Sequence, residues 1–506
     1  MYQNNIALLA LTLVVIVGLG QWVYSFIRVQ AFKRRMGCKP ATQWGQRDPV
    51  LGLDQFRIFK QNAVDRKTLE SLTHRYISTQ RHTQTLRLMG QDLVMTCEPE
   101  NVKAVLATKF ADFGIGSRMG AMGRLLGYGI FTTDGKHWEH SRALIRPSFS
   151  RAQVSDLDCV ETHVQNLINQ LPADGETIDL QRLFFNFTID NATEFLLGRS
   201  INCQTNPSME YFSEAWDHAE GCLSSRVRLG KVIRVIDAVK TDAGFEKSCD
   251  TVHTFVDSYI ADTLQEGKNK KNDSDAVNTR RYNLLSELSA VCRDPAQLRS
   301  ELLNVLLAAR DTTAALLSSV VYFLSRHPDV WESLASEVDQ LEGRVPDYET
   351  LKGMRVLRSI VDETLRLHPP VPINMRFAVR DTTVPRGGGP DGLAPVFVPK
   401  GAAVHYSLWA MHRLPSIYGP DAETFRPSRW LDSKPPLRPG WGYLPFNGGP
   451  RVCLGQQSAL IDASYVVVRL VQHVARIEPR GGVFRESIAL TFSHADGVKV
   501  GLWKRV

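Results

Sequence analysis

None of the eight cysteines (Cys38, Cys97, Cys159, Cys203, Cys222, Cys249, Cys292 and Cys453) forms a C-x-x-C pair. Their scatter argues against a disulfide scaffold and a paired-cysteine zinc site, and it fits a reducing compartment. No G-x-G-x-x-G opens a helix after a strand-like run, and no flavin region is present, so a nicotinamide or flavin electron source is not built in. Internal repeats and convincing linkers are also lacking. The net charge is only +7, from 60 basic and 53 acidic residues, which excludes a dedicated nucleic-acid binder. At 43% hydrophobic and 22% charged residues, the chain has an ordinary globular composition and can bury a large core without staples.

The one long apolar run is Ile6 to Ile27, and no basic residue precedes it. It is long enough to cross a bilayer as a helix. Trp22 and Tyr24 sit near one end, followed by Arg28, Lys33, Arg34, Arg35 and Lys39. The positive-inside rule then places the rest of the chain in the cytosol. A cleaved signal peptide would need a charged leading region and an A-x-A site, and neither is found. The expected division is an anchor over 1–35, with its helix at about 6–27, and a globular part over 36–506. The sequons at Asn186 and Asn191 then never meet the glycosylation machinery.

Beyond the anchor, residues 84–96 read as strand, and a helix begins near Pro99. The Gly-rich stretch 114–135 reads as a long loop, and helical patterns dominate to about 370. The charged run 266–281 reads as a flexible surface loop. Two helices stand out: an almost wholly apolar one from Leu298 to Arg326, and one from Tyr348 to Leu367 stopped by Pro369-Pro370. Short strands and turns fill 371–450, and a last helix runs from Gly455 to about Ile477. The fold class is mainly α with a smaller β-rich part.

The strongest motif runs from Phe446 to Gly455, FNGGPRVCLG. A cysteine there follows a Gly/Pro turn and opens a helix, whose N-terminal N–H groups favour a thiolate, the metal-binding form. The segment resembles the cytochrome P-450 haem-binding signature F-x-x-G-x-R-x-C-x-G at every fixed position, and that resemblance implies the cytochrome P-450 fold. It makes Cys453 the axial ligand of a haem b iron, with Phe446, Arg451 and Gly455 in the haem-binding loop. Glu363 and Arg366 match the family's E-x-x-R, with Arg429 in Pro427-Ser428-Arg429-Trp430 as the third partner of a structural lock. In the apolar helix, Ala308-Ala309-Arg310-Asp311-Thr312-Thr313 resembles the oxygen-activation motif. Thr312 then serves the dioxygen or an ordered water, Asp311 connects it to a proton source, and Thr313 supports the helix. Ala309 departs from the usual glycine. An isolated Asp-Thr has a plainer, less favoured reading as a helix back-bond. Trp138 and Arg142, four apart, resemble the family's helix contact to a haem propionate, Arg376 matches the strand position for the same task, and Arg451 in the cysteine loop is the third candidate for it.

Several segments, among them 113–118, 125–149, 385–413 and 444–460, resemble the fungal alkane- and fatty-acid-hydroxylating branch. The resemblance implies a haem-thiolate monooxygenase at the endoplasmic reticulum membrane, using dioxygen and electrons from NADPH through a separate reductase. Its expected substrate is lipophilic, with terminal hydroxylation of a long alkane or fatty acid. Relatives of this branch also tailor fungal secondary metabolites, which is the second expectation. A haem-thiolate isomerase or a non-catalytic haem binder is the third, against which the intact Asp311-Thr312 pair speaks.

Overall fold

The computed structural model describes residues 2–150, 153, 155–229, 242–269, 282–432, 434 and 436–505. The chain forms two compact units. The first comprises Met1–Arg57, Arg75–Phe113 and Met375–Tyr406; the second, much larger, comprises Ile58–His74, Gly114–Asn374 and Ser407–Val506.

The first unit opens with the apolar helix Tyr2–Arg35, longer at both ends than the expected 6–27. A 24-residue span, Thr12–Arg35, is apolar enough to cross a membrane, and no residue of its apolar window is buried in the protein. Its C-terminal end packs onto its own unit. Arg28 pairs with Asp381 at 3.0 Å, the Phe32 ring meets Phe397 edge-on, and Lys33 lies 4.9 Å from the same ring. The expected strand 84–96 is a hairpin, Thr83–Leu88 against Gln91–Thr96. Met89 and Gly90 turn it with φ of 49° and 75°, the left-handed pair that matches strand twist. Val94, Val384, Val396, Val398 and Val404 build this unit's core from alternate strand positions.

The second unit is helical around Pro295–Leu324, 30 residues or about 45 Å long. Asp294 caps it by accepting from the Ala296 N–H at 3.0 Å, and Pro295 occupies the first turn, where its missing N–H costs nothing. This helix also passes a length-and-hydropathy test for membrane spanning, but 78% of its apolar window is buried in the protein, so it is a core helix. It packs most extensively on Leu180–Leu197 and also on Gln456–His473. Leu316, Leu317 and Val320 join Phe184, Phe187, Val466 and Val467 in one cluster.

Four expectations need correction. The stretch 114–135 is not all loop, because Arg118–Leu126 is a helix whose Ala121, Met122, Leu125 and Leu126 form one buried face. Burial on that face outweighs the helix penalty of its glycines. The helix expected over 348–367 is two, Tyr348–Gly353 and Arg355–Leu367, interrupted at Met354 with an extended ψ of 102°. Glu337 caps the second piece, its two oxygens each accepting at 2.9 Å from the N–H groups of Val356 and Leu357. The last helix stops at His473, because Val474–Pro479 pairs as a strand with Lys499–Lys504. Of the run 266–281, residues 266–269 finish the helix Ala243–Asn269, and 270–281 lie outside the described residues.

The anchor separates into a bare span and a docked end. Deleting residues 2–27 is expected to release the chain from membranes in a flotation assay with little change in thermal stability. Deleting 1–35 also removes the Arg28, Phe32 and Lys33 contacts, at about 1–2 kcal/mol. Full membrane retention of both truncated forms would overturn the single-anchor expectation.

Candidate active site

The loop before the last long helix is built to present Cys453. Asn447 and Gly449 take φ of 61° and 69°, which folds the chain back so that the Cys453 N–H donates to the Phe446 carbonyl at 3.0 Å. A Cβ at Gly448 would lie 2.8 Å from the Trp441 ring. Cys453 lies deep in the unit, and burial pushes its thiol up, opposed by the Gly455 N–H and the Arg142 charge. Yet it is the one exposed cysteine of the eight, so its side chain opens onto internal space. Gly455 caps the helix Gln456–His473. Phe446 packs on the large helical core.

A buried ionic lock holds that loop. Glu363 and Arg366 pair at 2.8 and 2.9 Å, and Arg429 Nε reaches the same carboxylate at 2.9 Å. The Trp430 indole N–H and the Arg426 backbone N–H complete it, each at 2.9 Å. Burial works against the Glu363 charge, but Arg366 and its fellow donors outweigh it and hold the carboxyl below its ordinary value. Arg366 also donates to the carbonyls of His412 and Ala422 at 2.9 and 2.6 Å. His412 relays the lock to the cysteine loop. Its Nδ1 donates to the Arg366 carbonyl at 3.1 Å, and its Nε2 accepts from the Leu444 N–H at 2.9 Å. Burial lowers its pKa to about 3, so the ring is neutral, as this pattern requires.

The long helix is buried through its centre except for Ala308, Ala309 and Thr312. These are i, i+1 and i+4, one stripe that opens onto free space. Ala309 belongs to an apolar group that also takes in Ile130, Phe131, Leu454 and Leu490. Thr312 donates its hydroxyl proton to the Ala308 carbonyl at 2.6 Å, so its free capacity is as an acceptor. Asp311 faces inward. Its Oδ1 accepts from Arg310 at 3.0 Å, and Arg310 also binds Asp217 at 2.5 Å. A further carboxyl, Glu220, is buried against Asp311, and burial pushes it well above the carboxylate range. Sequence reasoning found neither Asp217 nor Glu220, because both sit on the helix Glu210–Leu229, far away in the chain and without a motif.

Trp138 and Arg142 share the helix Gly135–Ile145, with the guanidinium 5.9 Å from the indole centre. Arg451 crosses the same ring at 4.2 Å. Its fork engages the Thr133 carbonyl at 3.0 Å and the Asp134 carboxylate at 2.6 Å, so it fastens the cysteine loop to the start of that helix. Arg142 makes no hydrogen bond or ion pair with any described residue. Ser141 beside it donates to Glu301 on the long helix at 2.6 Å, and burial pushes Glu301 up to about 7. Arg376 lies in the first unit, buried, with Nη1 donating to the Met375 carbonyl at 2.9 Å.

These residues fit a thiolate-ligated haem. The accessible cysteine at a helix start supplies one soft ligand, the open stripe leaves room, and the uncommitted Arg142 suits a carboxylate. The lock should be indispensable to the loop. Glu363→Gln leaves two buried guanidinium groups without their anion, and a loss of about 3–5 kcal/mol in denaturant unfolding is expected, together with poor haem retention. Because the folded-state pKa of Glu363 is lowered, its contribution is present above the unfolded value of about 4.3 and disappears as pH falls through the folded one. The variant should lack that acid-limb loss.

The cytochrome P450 family model matches residues 56–481. The cytochrome P450 monooxygenase himC of Aspergillus japonicus is 43% identical, covering 92% of this chain and 84% of its own length. Cytochrome P450 52E1 of Candida apicola is 42% identical, covering 90% and 89%. The crystal structure of the cytochrome P450DA heme domain superposes with a TM-score of 0.77 at 19% identity, covering 93% of this chain and 98% of that one, which bears on fold alone. A cysteine loop, an ionic lock and a core helix that agree with a match this broad in both sequence and fold leave one assignment: the chain belongs to the cytochrome P450 family and is a haem-dependent monooxygenase.

Proposed function

We propose that the protein hydroxylates an unactivated carbon at or near the end of a long, largely aliphatic molecule. The observation that carries this is the stripe Ala308, Ala309 and Thr312, left accessible in an otherwise buried helix, with Ala309, like Ile130, Phe131, Leu454 and Leu490, at the partly buried edge of one large apolar cluster. The stripe itself offers methyl groups and one hydroxyl. The resemblance of 113–149 to the alkane and fatty-acid branch supports the same substrate class, and the apolar N-terminal helix brings the chain to a reservoir of such molecules. We place that helix in the endoplasmic reticulum membrane, with the rest of the chain cytosolic.

Haem, when bound through the Cys453 thiolate, supplies the activation of dioxygen, which thiolate ligation favours. Cys453 loses its proton on ligation, helped by the Gly455 N–H and by Arg142. Arg142 and Trp138 orient a propionate, while Arg451 holds the loop to the turn before them. Arg376 keeps its proposed role toward a haem propionate from its resemblance to the family's strand position. Thr312 accepts a hydrogen bond from a water, and Asp311 delivers protons toward it. Electrons come from an NADPH-dependent reductase at the same membrane.

Two measurements test this. Thr312→Ala should still oxidise NADPH but release more peroxide, with product per NADPH falling by roughly tenfold. Unchanged coupling would make Thr312 a helix back-bonder only. On a fatty-acid and alkane panel, each pair of carbons removed should weaken binding about tenfold or somewhat more, at about 0.8 kcal/mol per buried methylene. A flat response to chain length, with turnover of a rigid polycycle, would move the function to a tailoring step of secondary metabolism.

A further inference from the structure

Three carboxyls surround a single guanidinium in the heart of the second unit. Arg310 sends one nitrogen to both Asp217, at 2.5 Å, and Asp311, at 3.0 Å. Its guanidinium also lies 5.0 Å from the Phe185 ring, a neutral neighbour. Burial works against its charge, and Asp311 and Asp217 outweigh it, so it stays a cation. The Cys203 thiol, also near Arg310, is pushed up to about 12 by burial and stays neutral. Asp311 and Glu220 are 2% and 6% exposed, whereas the Asp217 side chain is 58% exposed.

Water meets the charge of the exposed Asp217, but Asp311 and Glu220 are both buried beside a single cation. Asp311 Oδ2 meets no N–H or O–H donor among the described residues, and a second carboxyl, that of Glu220, lies against the Asp311 carboxyl. Two carboxylates in contact repel, so one must keep its proton, and the O–H then supplies the missing donor. Burial and the Asp311 charge keep that proton on the pair. Asp217 lies one helix turn before Glu220 on the same face, at the water boundary.

We propose that Glu220 is the acid that reloads Asp311, the two carboxyls holding one proton between them, with Asp217 as the entry from solvent. This rests on reading Asp311 as the proton donor toward Thr312. The step is proton transfer alone. The Glu220 O–H breaks as the Asp311 O–H forms, Asp311 then passes its proton to water at Thr312, and Glu220 regains one from solvent by way of Asp217. No electron moves. Glu220 touches neither substrate nor cofactor, so it is a positioning and relay residue.

The test uses the full-length holoenzyme with three variants, Glu220→Gln, Glu220→Asp and Asp311→Asn. Infrared spectra of the resting enzyme, recorded in H2O and D2O, should show a protonated-carboxyl band that Glu220→Gln lacks and Glu220→Asp retains. In turnover with the best chain of the fatty-acid panel, Glu220→Gln should lower product per NADPH by roughly tenfold with matching peroxide, at unchanged haem content and substrate affinity. Glu220→Asp should recover most of it, and it keeps the test alive if the amide variant folds poorly. An unchanged carboxyl band, or unchanged coupling in Glu220→Gln while Asp311→Asn uncouples, would overturn the role of Glu220 alone. Unchanged coupling in both would overturn the reading of Asp311 on which it rests. The infrared arm needs no substrate, so failure of the aliphatic reading leaves it decisive.

Discussion

Two arginines share one buried carboxylate at Glu363, and the geometry of the cysteine loop depends on that arrangement. Glu363, Arg366 and Arg429 are all inaccessible, so each charge must be met inside the protein. It is met by mutual pairing, by the Trp430 and Arg426 N–H groups, and by carbonyls from residues 412 to 424. Apart from the Glu363–Arg366 pair, which lies within one helix, these bonds cross between separate chain segments and fix the segments relative to one another. Through His412 and Leu444 the constraint passes into the loop that carries Cys453. Tyr443 adds a second tether, donating to the Asp362 carbonyl at 3.0 Å. A loop made of glycine, proline and asparagine has little stiffness of its own. Its precision is borrowed from the lock.

The glycines of 114–135 serve a different end. A Cβ at Gly127 would fall 2.1 Å from the Ser300 hydroxyl, and one at Gly129 would fall 2.3 Å from the Asn304 amide. Backbone therefore lies directly on the long helix there, with Asn304 donating to the Leu126 carbonyl and accepting from the Phe131 N–H at 3.0 Å. That turn leads to Asp134 and the helix of Trp138 and Arg142. The proposed anion-binding residues are thus positioned from two sides, by Asn304 through the turn and by Arg451 across the Trp138 ring.

Local patterns in the sequence carried the features that depend on neighbours in the chain. The Cys453 loop, the long apolar helix, the Trp138–Arg142 spacing and the Glu363–Arg366 pair were all legible, and so was Arg429, through its resemblance to a known segment. Boundaries decided by distant partners were not. The break at Met354 follows from a cap that Glu337 provides, and the end of the last helix from pairing with Lys499–Lys504. Glu220 illustrates the limit most sharply. On its own helix it is one acid among several, and only burial against Asp311 distinguishes it.

The two buried ionic clusters run on opposite imbalances. At Glu363, two cations face one carboxylate and hold its carboxyl below the ordinary value, so it stays ionised at neutral pH. That suits a fixed strut. At Asp311, one cation serves two buried carboxyls besides the exposed Asp217, so a proton is retained, and its place between Glu220 and Asp311 depends on small differences in environment. That suits a relay. Burial raises the energetic stakes of both clusters, because an unmet charge costs several kcal/mol in the interior. The ratio of cations to carboxyls then decides whether a buried network locks structure or stores a proton. The same chain uses the first ratio beneath the cysteine loop and the second beside the open stripe of the long helix.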